Sequence, residues 1–325
     1  MQKIIYSFFS TFLLIIILSI IYLSTFGLET SKFNNIVING IKKKDPNISL
    51  SLNKIKIKFD IKKIQIYLST AEPQITYQNI KIPIKEINLY TKIISILKSK
   101  NEINRAIVSL ENFNIGDLQK LAIRVKPSNF KNYLLNNLSE GMIKKILIDV
   151  KLGENLNIDD YKISGSVKQL NIKIPGDLPA EDVSFNFISD KNLTLINSLK
   201  ANYQSILISD GSLNLKRNKQ IIIEGKFNSE FNLNGREIKK LFTKLDIDFL
   251  EKNKTKAKGS LLHNFSLKID ENFKLVDYDY KSNGNISGSQ IELKEYFKTN
   301  LVNNPIKKVS ISSAKLKINL TKKKN

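Results

Sequence analysis

Few side chains in this chain could do chemistry. Cysteine is absent, so there is no thiolate nucleophile, no sulfur-bound metal and no disulfide frame. His263 is the only histidine, a count that sets aside a multi-histidine metal site and a histidine-based triad. It follows Gly259-Ser260-Leu261-Leu262 in a strand-like run, where it reads as a polar residue facing outward. Asp159-Asp160 and Asp246-Ile247-Asp248 offer carboxylates that could pass protons or hold a hard cation. Acidic pairs of this kind are common in turns and at strand edges. No glycine-rich phosphate loop and no HExxH stands beside them. The expectation is a protein that is not an enzyme, with no catalytic residue, no metal and no cofactor.

Charge points to partners instead. The 325 residues carry 52 Lys+Arg against 30 Asp+Glu, a formal charge of +22. The lysines are spread through the chain and not gathered in one arm or helix. Arginine is scarce and tryptophan absent, which argues against base-edge readout and stacking platforms, and so against nucleic acid. Richness in Lys, Ile and Asn is a bias that an AT-rich genome produces by itself.

The elements that carry these residues announce themselves at Ile48–Leu68, ISLSLNKIKIKFDIKKIQIYL. Apolar residues fall at every second place: Ile48, Leu50, Leu52, then Ile55, Ile57, Phe59, Ile61, then Ile64, Ile66, Leu68. A strand sends alternate side chains to opposite faces, so one face is oily and the other wet and basic. The slips at Asn53-Lys54 and Lys62-Lys63 are those of a tight turn or bulge that restores the same oily face. Glu72-Pro73 makes a break, after which Ile75, Tyr77, Ile80, Ile82 and Ile84 continue the alternation around Pro83.

Before this run, Ile4–Leu28 contains no charge. That length crosses a hydrocarbon core of ~30 Å at ~1.5 Å per residue. It is longer than the apolar part of a signal peptide and ends at Ser24-Thr25-Phe26-Gly27, which favours an uncleaved anchor. Lys3 and the N-terminal amine argue for a cytoplasmic N-terminus, while Lys42, Lys43 and Lys44 pull the other way. The usual export arrangement, a short N-terminal anchor before a large β domain, selects the cytoplasmic N-terminus with the body exported. Thr30 or Ser31 can cap a short helix with Phe33, Val37, Gly40 and Ile41 on one side, ended by Asp45-Pro46.

Three further helical pieces are expected, at 93–98, 128–138 and 236–245, with strands elsewhere up to Val309–Leu320. In the C-terminal half, glycine recurs with an apolar residue two places on: Gly165/Val167, Gly211/Leu213, Gly225/Phe227, Gly259/Leu261 and Gly284/Ile286. A glycine at a fixed place in a strand suggests a bend that helps a sheet curl.

The order of anchor, capped helix and strands, then Ile87-Asn88-Leu89-Tyr90, a short helix over Ile93, Ile94, Ile96 and Leu97, the turn Lys100-Asn101-Glu102 and the strand from Ile103, resembles the N-terminal region of the AsmA-like proteins. That family includes TamB/YhdP-type members, inner-membrane-anchored proteins of the repeating β-groove, bridge-like lipid-transfer group. The resemblance is one of pattern, and the chain has Lys100-Asn101 where the family often has glycine.

Together these signals imply a fold that is mainly β with a few short helices (α+β). A transmembrane helix leads into a long, curled antiparallel sheet forming an apolar groove. The expected divisions are an anchor at 1–28, an AsmA-like region at 29–140 and a repetitive β-groove region at 141–325. The groove would be lined by Ile55, Ile57, Phe59, Ile61, Ile64, Ile66, Leu68, Ile80 and Ile82. In the second half it would be lined by Ile172, Ile174, Leu213, Phe231 and Leu267. It would hold phospholipid acyl chains by burial, at about 0.8 kcal/mol per methylene. The resemblance implies a single pass in a bacterial inner membrane, a body in the periplasm, support of lipid transport between membranes or of outer-membrane assembly, and further envelope proteins that extend the groove. The ending at Lys322-Lys323-Lys324-Asn325 reads as that of a fragment, a segment of a longer conduit or a short family member. The alternative is an anchored β scaffold with a closed core.

Overall fold

A computed structural model describes residues 2–31, 34–91, 103–124, 129–174, 178–218, 220–241, 250–251, 253–270, 274–299 and 302–322. The helix expected at 93–98, and the end of the one expected at 236–245, lie outside these residues. The fold is mainly β, with one large antiparallel sheet that is not closed, a few short helices and one apolar N-terminal helix. The chain divides into two units, residues 1–132 with 143–165 and residues 133–142 with 166–325.

In the first unit, α1 spans Gln2–Thr25. Its 20 residues from Tyr6 to Thr25 are long and apolar enough to cross a membrane, as a signal sequence would also be. The hydroxyls of Thr11, Ser24 and Thr25 each bond to the carbonyl four residues back, so these three polar groups are satisfied within the helix. Gly27, at φ +74°, ends the helix, its N–H donating to the Tyr22 carbonyl at 3.1 Å. A Cβ there would press on Lys58, so only glycine suits the junction. Strand β1 (Leu28–Thr30) then pairs at once with β3 (Ile55–Asp60), Leu28 opposite Ile57 and Thr30 opposite Ile55. Thr30 is therefore a strand residue and not a helix cap.

Helix α2 (Asn34–Lys44) leads to β2 (Ile48–Ser51). The chain then changes sheets. β2 pairs with β5 (Gln74–Tyr77), and β5 with β6 (Ile80–Ile82), as a separate three-stranded sheet. β3 pairs instead with β4 (Gln65–Ala71), and onward come β7 (Ile84–Thr91), β8 (Ile103–Leu110) and β10 (Leu138–Leu152). The slip at Asn53-Lys54 thus carries the chain from one layer to the other and does not restore the same face. The slip at Lys62-Lys63 is a true turn between β3 and β4. Pro73 and Pro83 mark the chain's departure from the large sheet and its return.

The two sheets enclose a core. Leu50, Leu52 and Ile75 meet Ile55 and Ile87, and Val37, Ile38 and Ile41 of α2 pack around them with Leu68, Ile82, Leu89 and Val108. Ile55 is 2% exposed. Helix α3 (Ile115–Arg124) follows the short β9 (Phe113–Asn114), and α4 (Asn129–Asn137) precedes β10.

The second unit is a single antiparallel layer in chain order. Its strands are β11 (Ile158–Ile174, shared with the first unit), β12 (Leu178–Asp190), β13 (Leu193–Tyr203), β14 (Ile206–Arg217), β15 (Ile221–Asn234), β16 (Lys256–Ile269), β17 (Leu275–Thr299) and β18 (Val302–Thr321). Helix α5 (Gly235–Leu241) grows directly from β15. Asn234 and Glu237 form a reciprocal cap, with Asn234 Oδ1 accepting from the N–H of Arg236 and Glu237 and Glu237 Oε2 accepting from the N–H of Asn234.

Candidate apolar face of the second unit

Register assigns the faces. In antiparallel pairing, residues directly opposite each other point to the same side. Ile223 lies opposite Leu215 and Leu267, Gly225 opposite Leu213 and Phe265, Phe227 opposite His263, and Phe231 opposite Ile206 and Gly259. One face of β14–β16 is thus mostly Ile, Leu and Phe. The other carries Glu224, Lys226, Asn228, Glu230, Lys258, Ser260 and Asn264.

Among the described residues, α5 packs against β15 and β16, and all of this unit's strands belong to one sheet. Even so, the apolar side chains are largely half-buried, whereas most of the polar face is exposed. Neighbouring side chains of the same face contribute to that burial, Phe227 packing on His263 and Phe265. Four glycines make it possible. Gly211 stands opposite Leu199, Gly225 opposite Leu213, Gly259 opposite Phe231 and Gly284 opposite Leu261, each glycine one strand on from a large apolar partner. A Cβ on Gly225 would strike Leu213 and Phe265, so these side chains lie over the gap that glycine leaves.

The expected lining residues fare differently. Leu213, Phe231 and Leu267 share this one face and are half-buried. Ile172 is half-buried on β11, and the side chain of Ile174 lies outside the described residues. In the first unit, Ile55, Leu68 and Ile82 belong to the core between the two sheets, where the facing layer already covers them. Ile57, Phe59 and Ile66 continue Ile55's face and are half-buried. Ile61 and Ile64, 55% and 68% exposed, lie in the β3–β4 turn and on neither strand face. Ile80 lies on β6 of the smaller sheet.

His263 faces the opposite way from the sequence reading. It sits on the apolar face, 8% exposed, its ring stacked on Phe227 at 4.4 Å. Nε2 lies 2.7 Å from the Ser229 hydroxyl, and Nδ1 lies 2.7 Å from the Tyr280 hydroxyl. The third member is a phenol and not a carboxylate, so nothing here would stabilise an imidazolium as a triad does. Burial holds the imidazole below its ordinary range. The folded chain therefore protonates His263 at lower pH than the unfolded chain, which binds a proton as pH falls through about 6.5. Stability is lost on acidification from that point down to the folded value, by at most about 1.4 kcal/mol per pH unit. Urea midpoints at pH 7.5 and 5.5 should separate more for the native chain than for His263→Phe. Equal separations would mean that the folded ring is charged.

The polar faces carry paired charges. In the first unit, Arg105 holds Asp149 at 2.7 Å, which keeps that carboxyl below the usual carboxylate range, and Arg105 and Lys63 lie over the Tyr90 ring, itself stacked on Tyr67. In the second unit, a depression of about 520 Å³ is bordered by Glu224, Lys226, Asn264, Asp279 and Lys281, where Glu224 is paired with Lys216 and Asp279 with Lys281. Charges of both signs give it no preference for an anion. Among the described residues, no group of acidic or histidine side chains is placed to hold a metal. No protein family, curated protein or solved structure matches the chain.

Proposed function

We propose that this chain is a membrane-anchored β protein that holds phospholipid acyl chains on the open apolar face of its second unit. In this reading it serves lipid passage between membranes of a bacterial envelope, with α1 in the inner membrane, the body in the periplasm and no catalytic step. The observation that carries the reading is the half-buried side of β14–β16, mostly Ile, Leu and Phe, in a unit whose described strands all belong to one sheet that is not closed. A continuous apolar surface of this kind is costly to leave in water and suits a hydrocarbon ligand. The patterned resemblance to AsmA-like proteins and the spanning-length helix support it further.

Relative to the sequence reading, the ligand-bearing surface moves. The strands from Ile55 help close a core, and this favours, for the first unit, the alternative of an anchored scaffold. Photoreactive residues placed singly at Leu213, Leu267 and Ile55 separate the two readings. Adducts of phospholipid mass at the first two sites and none at Ile55 are expected. Lipid-free protein at Leu213 and Leu267 would leave the scaffold reading alone.

A further inference from the structure

The Ser229–His263–Tyr280 group contains one hydrogen more than it can use. A neutral imidazole has one N–H, and the two hydroxyls bring one hydrogen each, yet only two contacts join the three groups. In one tautomer Nε2–H donates to Ser229 and Tyr280 donates to Nδ1, which strands the Ser229 hydrogen. In the other, Ser229 donates to Nε2 and Nδ1–H donates to the Tyr280 oxygen, which frees the Tyr280 hydrogen. Ser229 is 4% exposed, whereas Tyr280 is only partly buried. A donor stranded in the interior costs more than one near the surface, so the second tautomer prevails. Ser282, opposite His263 and fully buried, has no hydrogen-bond partner and does not take the spare hydrogen.

The surroundings say what would take it. Ile208, Phe227, Leu261, Phe265, Gly284 and Ile318 share this face around the ring, and none carries charge. A phosphate or carboxylate would be desolvated here without a cation to repay it. A neutral acceptor bonded to hydrocarbon loses far less. We infer that Tyr280, positioned by His263 and Ser229, is a binding residue for the ester carbonyl of an acyl lipid whose chains lie on the flanking Ile, Leu and Phe. This rests on the acyl-chain reading above and adds a polar fixed point to it.

The test compares ester-linked dioleoylphosphatidylglycerol with its dialkyl-ether analogue. The two compete in mixed micelles for the full chain bearing a photoreactive residue at Leu267. One neutral hydrogen bond predicts about a fivefold preference for the ester. Tyr280→Phe should abolish the preference. Tyr278→Phe, the same change two residues along the same strand and face, should keep it. Equal capture of ester and ether by the native chain would overturn the Tyr280 site while leaving acyl binding intact. So would a preference that survives Tyr280→Phe. Capture of neither lipid would overturn acyl binding itself. The ester-against-ether comparison at native Tyr280 requires no Tyr280 variant to fold.

Discussion

Gly284→Val is expected to destabilise the second unit by about 3 kcal/mol, toward the upper end of overpacking costs. A Cβ at this position runs into the Ser260 carbonyl oxygen and stands 2.8 Å from Leu261 Cα. Both are backbone atoms, so no rotamer change relieves the clash, and β16 and β17 must part where Leu261 and Gly284 now face each other. The urea midpoint of the strand circular dichroism signal reads the loss. Gly116→Ala in the first turn of α3 is the matched control, because nothing lies within 4 Å of the added carbon. It should leave stability unchanged or raise it slightly, as alanine is the better helix former. Equal midpoints for Gly284→Val and the native chain would mean that the glycine positions do not set the packing of this face.

Ile55→Ala is the second large effect, a loss of about 3 kcal/mol within the range for emptying a buried isoleucine. Its side chain lies among Leu50, Leu52, Ile75 and Ile87, drawn from two sheets that cannot collapse independently onto the void. Phe59→Ala, on the same strand but half-buried, should cost less. Under conditions where the Ile55→Ala chain stays folded, lipid capture at Leu213 should be unaffected. Loss of capture would tie the lipid site to the first unit's core.

Both predictions concern positions that the sequence marks plainly yet explains only in part. Alternation shows that Ile55 and Leu50 each belong to an oily face. It carries no information on which sheet a strand joins, because pairing partners come from distant segments such as β5. That is why one continuous spelling, Ile48–Leu68, serves two layers. The turn residues Ile61 and Ile64 keep the alternating rhythm by chance, and Ile64 has φ 51°, which ends the strand geometry that the rhythm assumes. His263 is misplaced when its polarity is weighed above its parity. Counting from Leu261 and Phe265 puts it on the apolar side, and the Ser229 and Tyr280 hydroxyls that satisfy it come from neighbouring strands.

Helix α3 is absent from the sequence expectations, although a signal for it exists. Phe113-Asn114-Ile115-Gly116-Asp117-Leu118-Gln119-Lys120-Leu121 aligns without gaps on Leu233-Asn234-Gly235-Arg236-Glu237-Ile238-Lys239-Lys240-Leu241. In both, the helix begins at the residue after asparagine, with an acid three places beyond it. The glycine recurrence is plain in the sequence, but its meaning needs the register, since Gly211, Gly225, Gly259 and Gly284 each answer a bulky residue on the strand before.

The junction at Gly27 has a mechanical outcome. Only Phe26 and Gly27 separate α1 from β1, and β1 is hydrogen-bonded along its whole length to β3. With α1 in a bilayer there is no slack between the two, so tilting of the spanning rod is passed straight to the first strands like a handle turning a blade. The first unit would ride at the headgroups at a fixed angle, and a few flexible residues spliced in after Gly27 would let it swing free.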